Sequence, residues 1–155
     1  MKRLTDCGAD KKRTKRLAAM IAGAGLILFA AVTVWWLFRA VPVVRARDLE
    51  TTQIPGIVFQ INGESIDFDP SQYDERAILT YLGTCQKHRI LSGASGYQEG
   101  SGTIVICLQT EASIDYVVLA DSGANSRSGG GAGPLFRIQN GPAVFSAVRQ
   151  FLPLD

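Results

Sequence analysis

The chain has 155 residues and a formal net charge of +2, a small sum that hides an uneven distribution. Residues 1–16 carry seven basic and two acidic side chains, whereas from Asp48 onward there are six basic and twelve acidic, a net of −6. That acidic portion is a poor electrostatic match for nucleic acid or other polyanions, and the roughly 100 residues beyond residue 54 suffice for one independently folding core and not two.

The first element is set by a run of 22 uncharged residues, Leu17 to Phe38, in which Thr33 is the one hydroxyl-bearing side chain. As a helix rising about 1.5 Å per residue the run spans roughly 33 Å, enough for a hydrocarbon core of about 30 Å. It is apolar all round, where a core helix keeps a polar face, and it is longer than the apolar region of a cleaved signal peptide. Trp35 and Trp36 near its end suit the membrane interface. Seven basic residues precede the run and only Arg39, Arg45 and Arg47 follow closely, which places the N-terminus in the cytoplasm and the rest outside. The expected organisation is a basic cytoplasmic tail over 1–16, a transmembrane signal-anchor over 17–38, a stalk over 39–53 and an extracytoplasmic domain over 54–155. Cys7 follows only six residues and no apolar run, which argues against a lipoprotein processing site.

Within the domain, "IVFQINGESIDF" reads as a hairpin, Ile57–Ile61 with Glu64–Phe68, turned by Asn62-Gly63, the pair that best tolerates the positive backbone angles of a type I′ turn. In "DPSQYDERAILTYLG" the recurrence of Tyr73, Ala77, Ile78, Tyr81 and Leu82 predicts a helix capped by Asp69 or Ser71. A short strand over His88 to Leu91 comes next, followed by two β-branched central strands, "TIVICLQT" and "IDYVVLA". The strand "LFRIQ" and the helix "PAVFSAVRQFL", with Pro142 in its first turn, close the chain. The order β-β-α-β-β-β-β-α predicts an α+β fold, with helices covering one face of a mainly antiparallel sheet.

The residue types that carry chemistry are sparse. His88 is the sole histidine, and no C-x-x-C or H-x-x-x-H pair offers a metal site. Asp67 and Asp69 have the i, i+2 spacing that would put two carboxylates on one face of a strand, but Asp69-Pro70 stands where a helix cap is wanted. The segment "DSGANSRSGGGAGP" lacks both the acidic positions of a calcium loop and a dinucleotide fingerprint, and its five glycines between Gly123 and Gly133 read as a flexible loop. In it Asp121, Ser122, Asn125 and Arg127 are candidate partner contacts. No nucleophile elbow is present, so no catalytic residue, cofactor or metal is assigned and the chain does not read as an enzyme. Cys85 and Cys107 both fall outside the cytoplasm and are expected to form a disulfide, with Cys7 reduced.

Two functional classes remain. In the first, the chain presents a small binding or sensory domain on the outer side of a bacterial envelope membrane, where it meets a protein partner or ligand. In the second, it is an accessory subunit that assembles through its membrane helix, where Ala18/Ala22 and Ala19/Gly23 give small-x-x-x-small spacing for self-association or a close helix partner. The lipid bilayer is a partner in both, and nucleic acid in neither.

Overall fold

The computed structural model describes residues 6–90, 102–129 and 133–154, and the chain divides into two compact units, Met1–Phe38 and Arg39–Asp155. The described residues of the first unit form one helix, α1 (Asp6–Phe38), which starts well before the apolar run. Arg16–Phe38 is long and apolar enough to cross a membrane, and none of its most apolar stretch is buried. Thr33 does not disturb this character, because its hydroxyl donates within the helix to the Phe29 carbonyl at 2.8 Å.

The second unit contains the strands β1 (Val41–Pro42), β2 (Gln53–Ile61), β3 (Glu64–Phe68), β4 (Gln86–Arg89), β5 (Thr103–Gln109), β6 (Ile114–Ala120), β7 (Gly123–Arg127) and β8 (Leu135–Ile138), with helices α2 (Glu75–Thr84) and α3 (Gly141–Arg149). All eight strands form one antiparallel sheet in the order β1-β4-β8-β7-β6-β5-β2-β3. The α+β class and antiparallel sheet agree with the sequence pattern, and the strand count exceeds it by β1 and β7. The Asn62-Gly63 turn forms as read, with φ of 52° and 82°.

Alternation builds the core. Ile57, Phe59, Ile104, Ile106, Val117, Leu119, Ala124 and Ile138 are buried, and the strand register puts them on one face. Against that face pack Ile78, Leu79 and Leu82 of α2 and Val144, Phe145 and Val148 of α3, all in one continuous cluster. The residues expected to form a stalk belong to this unit. Val43 and Val44 are buried in the core, Val43 N donates to Cys85 O at 2.9 Å, and β1 extends the sheet at its edge. Their apolar character supplies the reason, since a free stalk would leave both valines in water.

Three further boundaries differ from the sequence reading. Asp69 and Ser71 do not cap α2: residues 70–72 form a separate 3-10 turn, and Asp74 caps the helix by accepting from Ala77 N at 2.9 Å. The strand expected over His88 to Leu91 is β4, displaced toward Gln86, and Leu91 lies outside the described residues. The predicted glycine-rich loop is shorter at its front, because Gly123–Arg127 is β7, paired on both sides. Gly130 and Gly131 fall outside the described residues.

A local irregularity fixes α2 to the sheet. The pairing of β2 with β5 skips between Gln53 and Gly56, and Pro55 has no amide to donate there. Ile54 is therefore served by side chains from the start of α2. Its amide donates to Glu75 Oε1, and its carbonyl accepts from the Tyr73 hydroxyl at 2.8 Å.

Candidate functional site

At one end of the sheet the inward-facing rows change from apolar to polar. Along β6 the row runs from Leu119 and Val117 to Asp115, and along β7 from Ala124 to Ser126 and then Ser128. The core thus stops short of this end, and the segment from Val41 to Thr52 lines a cleft of about 430 Å³ there together with the turn between β5 and β6. That turn is held by Thr110, whose amide donates to Ser113 O at 2.9 Å and whose hydroxyl accepts from Ser113 N at 3.0 Å.

Lys87 stands in this cleft. It is opposite Ile138 in the ladder, which turns its side chain to the core face, and it is only 7% exposed. Its ammonium passes over the Phe136 ring, 4.9 Å from the centroid, and donates to Ser126 Oγ at 3.1 Å. Asp115 is held separately: its carboxylate accepts from Ser113 Oγ and Ser128 Oγ, both at 3.1 Å, and from Gly129 N at 3.4 Å. Burial pushes the Lys87 amine below its ordinary range, Asp115 pulls it partly back, and Arg45 pushes it down again. The cleft also presents Arg47 and Asp48, which pair with each other at 3.3 Å, and Glu111 at its exposed rim.

A buried lysine is a specific chemical device. Protonated, it is a desolvated point charge able to hold an anion; unprotonated, it is a nucleophilic amine. Its burial also costs stability, so Lys87→Met should raise the unfolding free energy at pH 7 by about 1 kcal/mol or more. The sign with pH follows from the depressed folded value. Between that value and the ordinary 10.5 the unfolded chain binds the extra proton, so the native protein gains stability as pH rises there. The advantage of Met, read by denaturant titration, should shrink over the same window; an advantage independent of pH would contradict the placement of Lys87.

The sequence-predicted residues do not form this site. Ser122 and Asn125 line a second hollow, of about 420 Å³, with His88, while Asp121 lies exposed outside it. Asn125 is buried within β7 and Arg127 stands opposite Tyr116 and Leu135, so these residues do not make one loop surface. Asp67 is exposed on β3, and Asp69 lies past its end, its amide bonded to Gln72 Oε1 at 2.8 Å. Among the described residues no group of three His, Cys, Asp or Glu gathers as a metal site would require. Ala18, Ala19, Ala22 and Gly23 are all exposed along α1.

The expected Cys85–Cys107 disulfide is corrected: both are free thiols. Cys85 ends α2, buried toward the core, with its Sγ donating to Tyr81 O at 3.5 Å, whereas Cys107 alternates with the buried Ile106 and Leu108 and so faces the other side of the sheet. Three strands, β8, β7 and β6, separate β4, which follows Cys85, from β5. At about 4.8 Å per strand the gap is on the order of 15–20 Å, against the roughly 7 Å that a bridge tolerates. Burial raises both thiols above their ordinary value. Mass analysis of unreduced protein, denatured in alkylating agent, should find both cysteines alkylated; a linked peptide would refute the placement.

Lys87 escaped sequence reading because nothing in "QKHR" marks a buried position. One weak signal was present: Lys87 is the sole lysine after Lys15, in a region whose other basic residues are all arginine. No protein-family model, curated protein or solved structure matches the chain.

Proposed function

We propose that the chain is a single-pass membrane protein of a bacterial envelope, with a cytoplasmic N-terminus and an anchored α+β unit that acts outside the cytoplasm as a binding or sensory module. The observation that carries this reading is α1. A 23-residue apolar segment, Arg16–Phe38, has no buried stretch, which a core helix would have, and basic residues crowd its N-terminal side. A β-sheet unit with a cleft containing a buried cation agrees with a binding role.

A phosphatase reporter that folds only after export, fused after Asp155, should be active, and a fluorescent reporter that matures only in the cytoplasm should stay dark in the same position. The reverse pair of results would overturn the orientation. Loss of the anchored species, with the chain recovered as a soluble fragment beginning after Phe38, would overturn permanent anchoring.

A further inference from the structure

The second hollow, of about 420 Å³, is lined by one row of side chains on the sheet face opposite the core. His88 stands opposite Arg137, and Arg137 opposite Asn125, so the three lie side by side across β4, β8 and β7. Their chain neighbours Lys87, Ile138, Ala124 and Ser126 are buried toward the core, which by alternation turns these three the other way. Asn140, Gly141 and Pro142 at the start of α3 form another wall.

Asn125 is the informative member of the row. It is only 5% exposed, yet its side chain has no hydrogen-bond partner among the described residues. A buried amide left unpaired is costly and asparagine is a poor strand former, so packing alone does not explain its place. Among the described residues no buried side-chain polar atom is shut off from both a partner and solvent. The Asn125 amide therefore opens onto the hollow it lines.

The groups around that amide suit an anion. Arg137 makes no ion pair among the described residues, and His88 brings an imidazole N–H beside it. Asn140 begins α3 in the left-handed conformation without a side-chain cap, which leaves the positive end of the helix dipole uncompensated. The lining holds no carboxylate, since Asp121 precedes Ser122 but lies outside it. The net −6 from Asp48 onward is screened beyond about 8 Å at physiological salt.

We infer that this hollow binds a phosphate group, of a small phosphate monoester or of free phosphate, whose oxygens accept from the Asn125 amide, the Arg137 guanidinium and the start of α3. Donors converging from three elements suit a group with three acceptor oxygens better than a carboxylate with two, and the guanidinium fork can meet phosphate with two parallel bonds. The volume is within the range of small-molecule sites and leaves room for an esterified part. The site is separate from the Lys87 cleft and independent of membrane topology.

The test uses the full chain in an uncharged detergent, titrated calorimetrically at pH 7 and constant ionic strength with sodium phosphate, glycerol phosphate and sodium acetate. Both phosphates should bind saturably and more tightly than acetate. Tighter binding of the ester assigns the site to a phosphorylated small molecule, and equal or weaker binding of the ester assigns it to phosphate itself. Arg137→Gln should weaken phosphate about tenfold or more, and Asn125→Leu, which nearly keeps the volume and removes the amide, about threefold or more. Arg137 is exposed and the Asn125 side chain bonds nothing, so neither change removes a contact of the fold. Arg76→Gln, on the exposed side of α2, removes the same charge away from the hollow and should leave the affinity unchanged. Should Asn125→Leu unfold lower than the native chain, the comparison of Arg137→Gln with Arg76→Gln decides. Absence of saturable binding of either phosphate by folded native protein, acetate binding as tightly, equal losses in the two arginine variants, or unchanged affinity in a folded Asn125→Leu protein would each overturn the site. A failed titration alongside an exported reporter fusion would remove this site and leave the anchored-module reading standing.

Discussion

Gly141→Ala is expected to destabilise the C-terminal unit by about 3 kcal/mol or more, at the upper end of overpacking effects. A Cβ built at Gly141 stands 2.5 Å from Ala124 N, 2.7 Å from Gly123 C and 2.9 Å from Gly123 Cα. All three are backbone atoms, so no side chain can rotate away. Relief requires β7 or the start of α3 to move, which disturbs the packing of Val144 and Val148. Gly83→Ala is the matched control. Its added methyl would meet Leu49 Cδ2 and Val44 O at 3.6 Å, ordinary contact, and an alanine near the end of α2 should stabilise by about 0.5–1 kcal/mol. Chemical denaturation of both variants decides the matter. Equal stabilities would show that α3 does not approach the β6–β7 turn as described.

Tyr73→Phe is expected to cost about 1–3 kcal/mol, because it leaves the Ile54 carbonyl without its donor at the skip in β2. The effect should carry a pH signature. Burial, and then the charges of Glu75 and Asp69, push the Tyr73 hydroxyl from 10.0 up to about 12. The folded value lies above the unfolded one, so the stabilisation from the protonated hydroxyl is complete below pH 10.0 and is lost as pH rises toward about 12. The stability difference between native protein and Tyr73→Phe should therefore be flat up to about pH 10 and narrow above it. A difference already narrowing near neutral pH would place the hydroxyl in water instead.

The elements legible from the sequence are those whose cause is local. The apolar run of α1 is a property of consecutive residues; Asn62-Gly63 specifies a turn through its own backbone angles; and the runs in β5, β6 and α3 carry their periods within one element. The antiparallel α+β class follows from those pieces, since a sheet with one apolar face and two amphipathic helices has few ways to bury them.

Tertiary structure decided whatever depends on a residue distant in the chain. The text of β7, "GANSR", is that of a loop, and it becomes a strand because β6 and β8 flank it and satisfy its backbone. Val43 and Val44 look like stalk until the rest of the unit offers them a core. Cys85 and Cys107 are an even pair by count, but sheet order and strand alternation put them on opposite sides. Lys87 has the same origin: inward or outward on a four-residue strand is a choice of register, and register is set by the pairing with Ile138, Arg137 and Phe136 some fifty residues away. Composition and period thus determined the apolar helix of membrane-spanning length, the fold class and most elements, while the buried amine and the cleft around it arose only when strands far apart in sequence were set side by side.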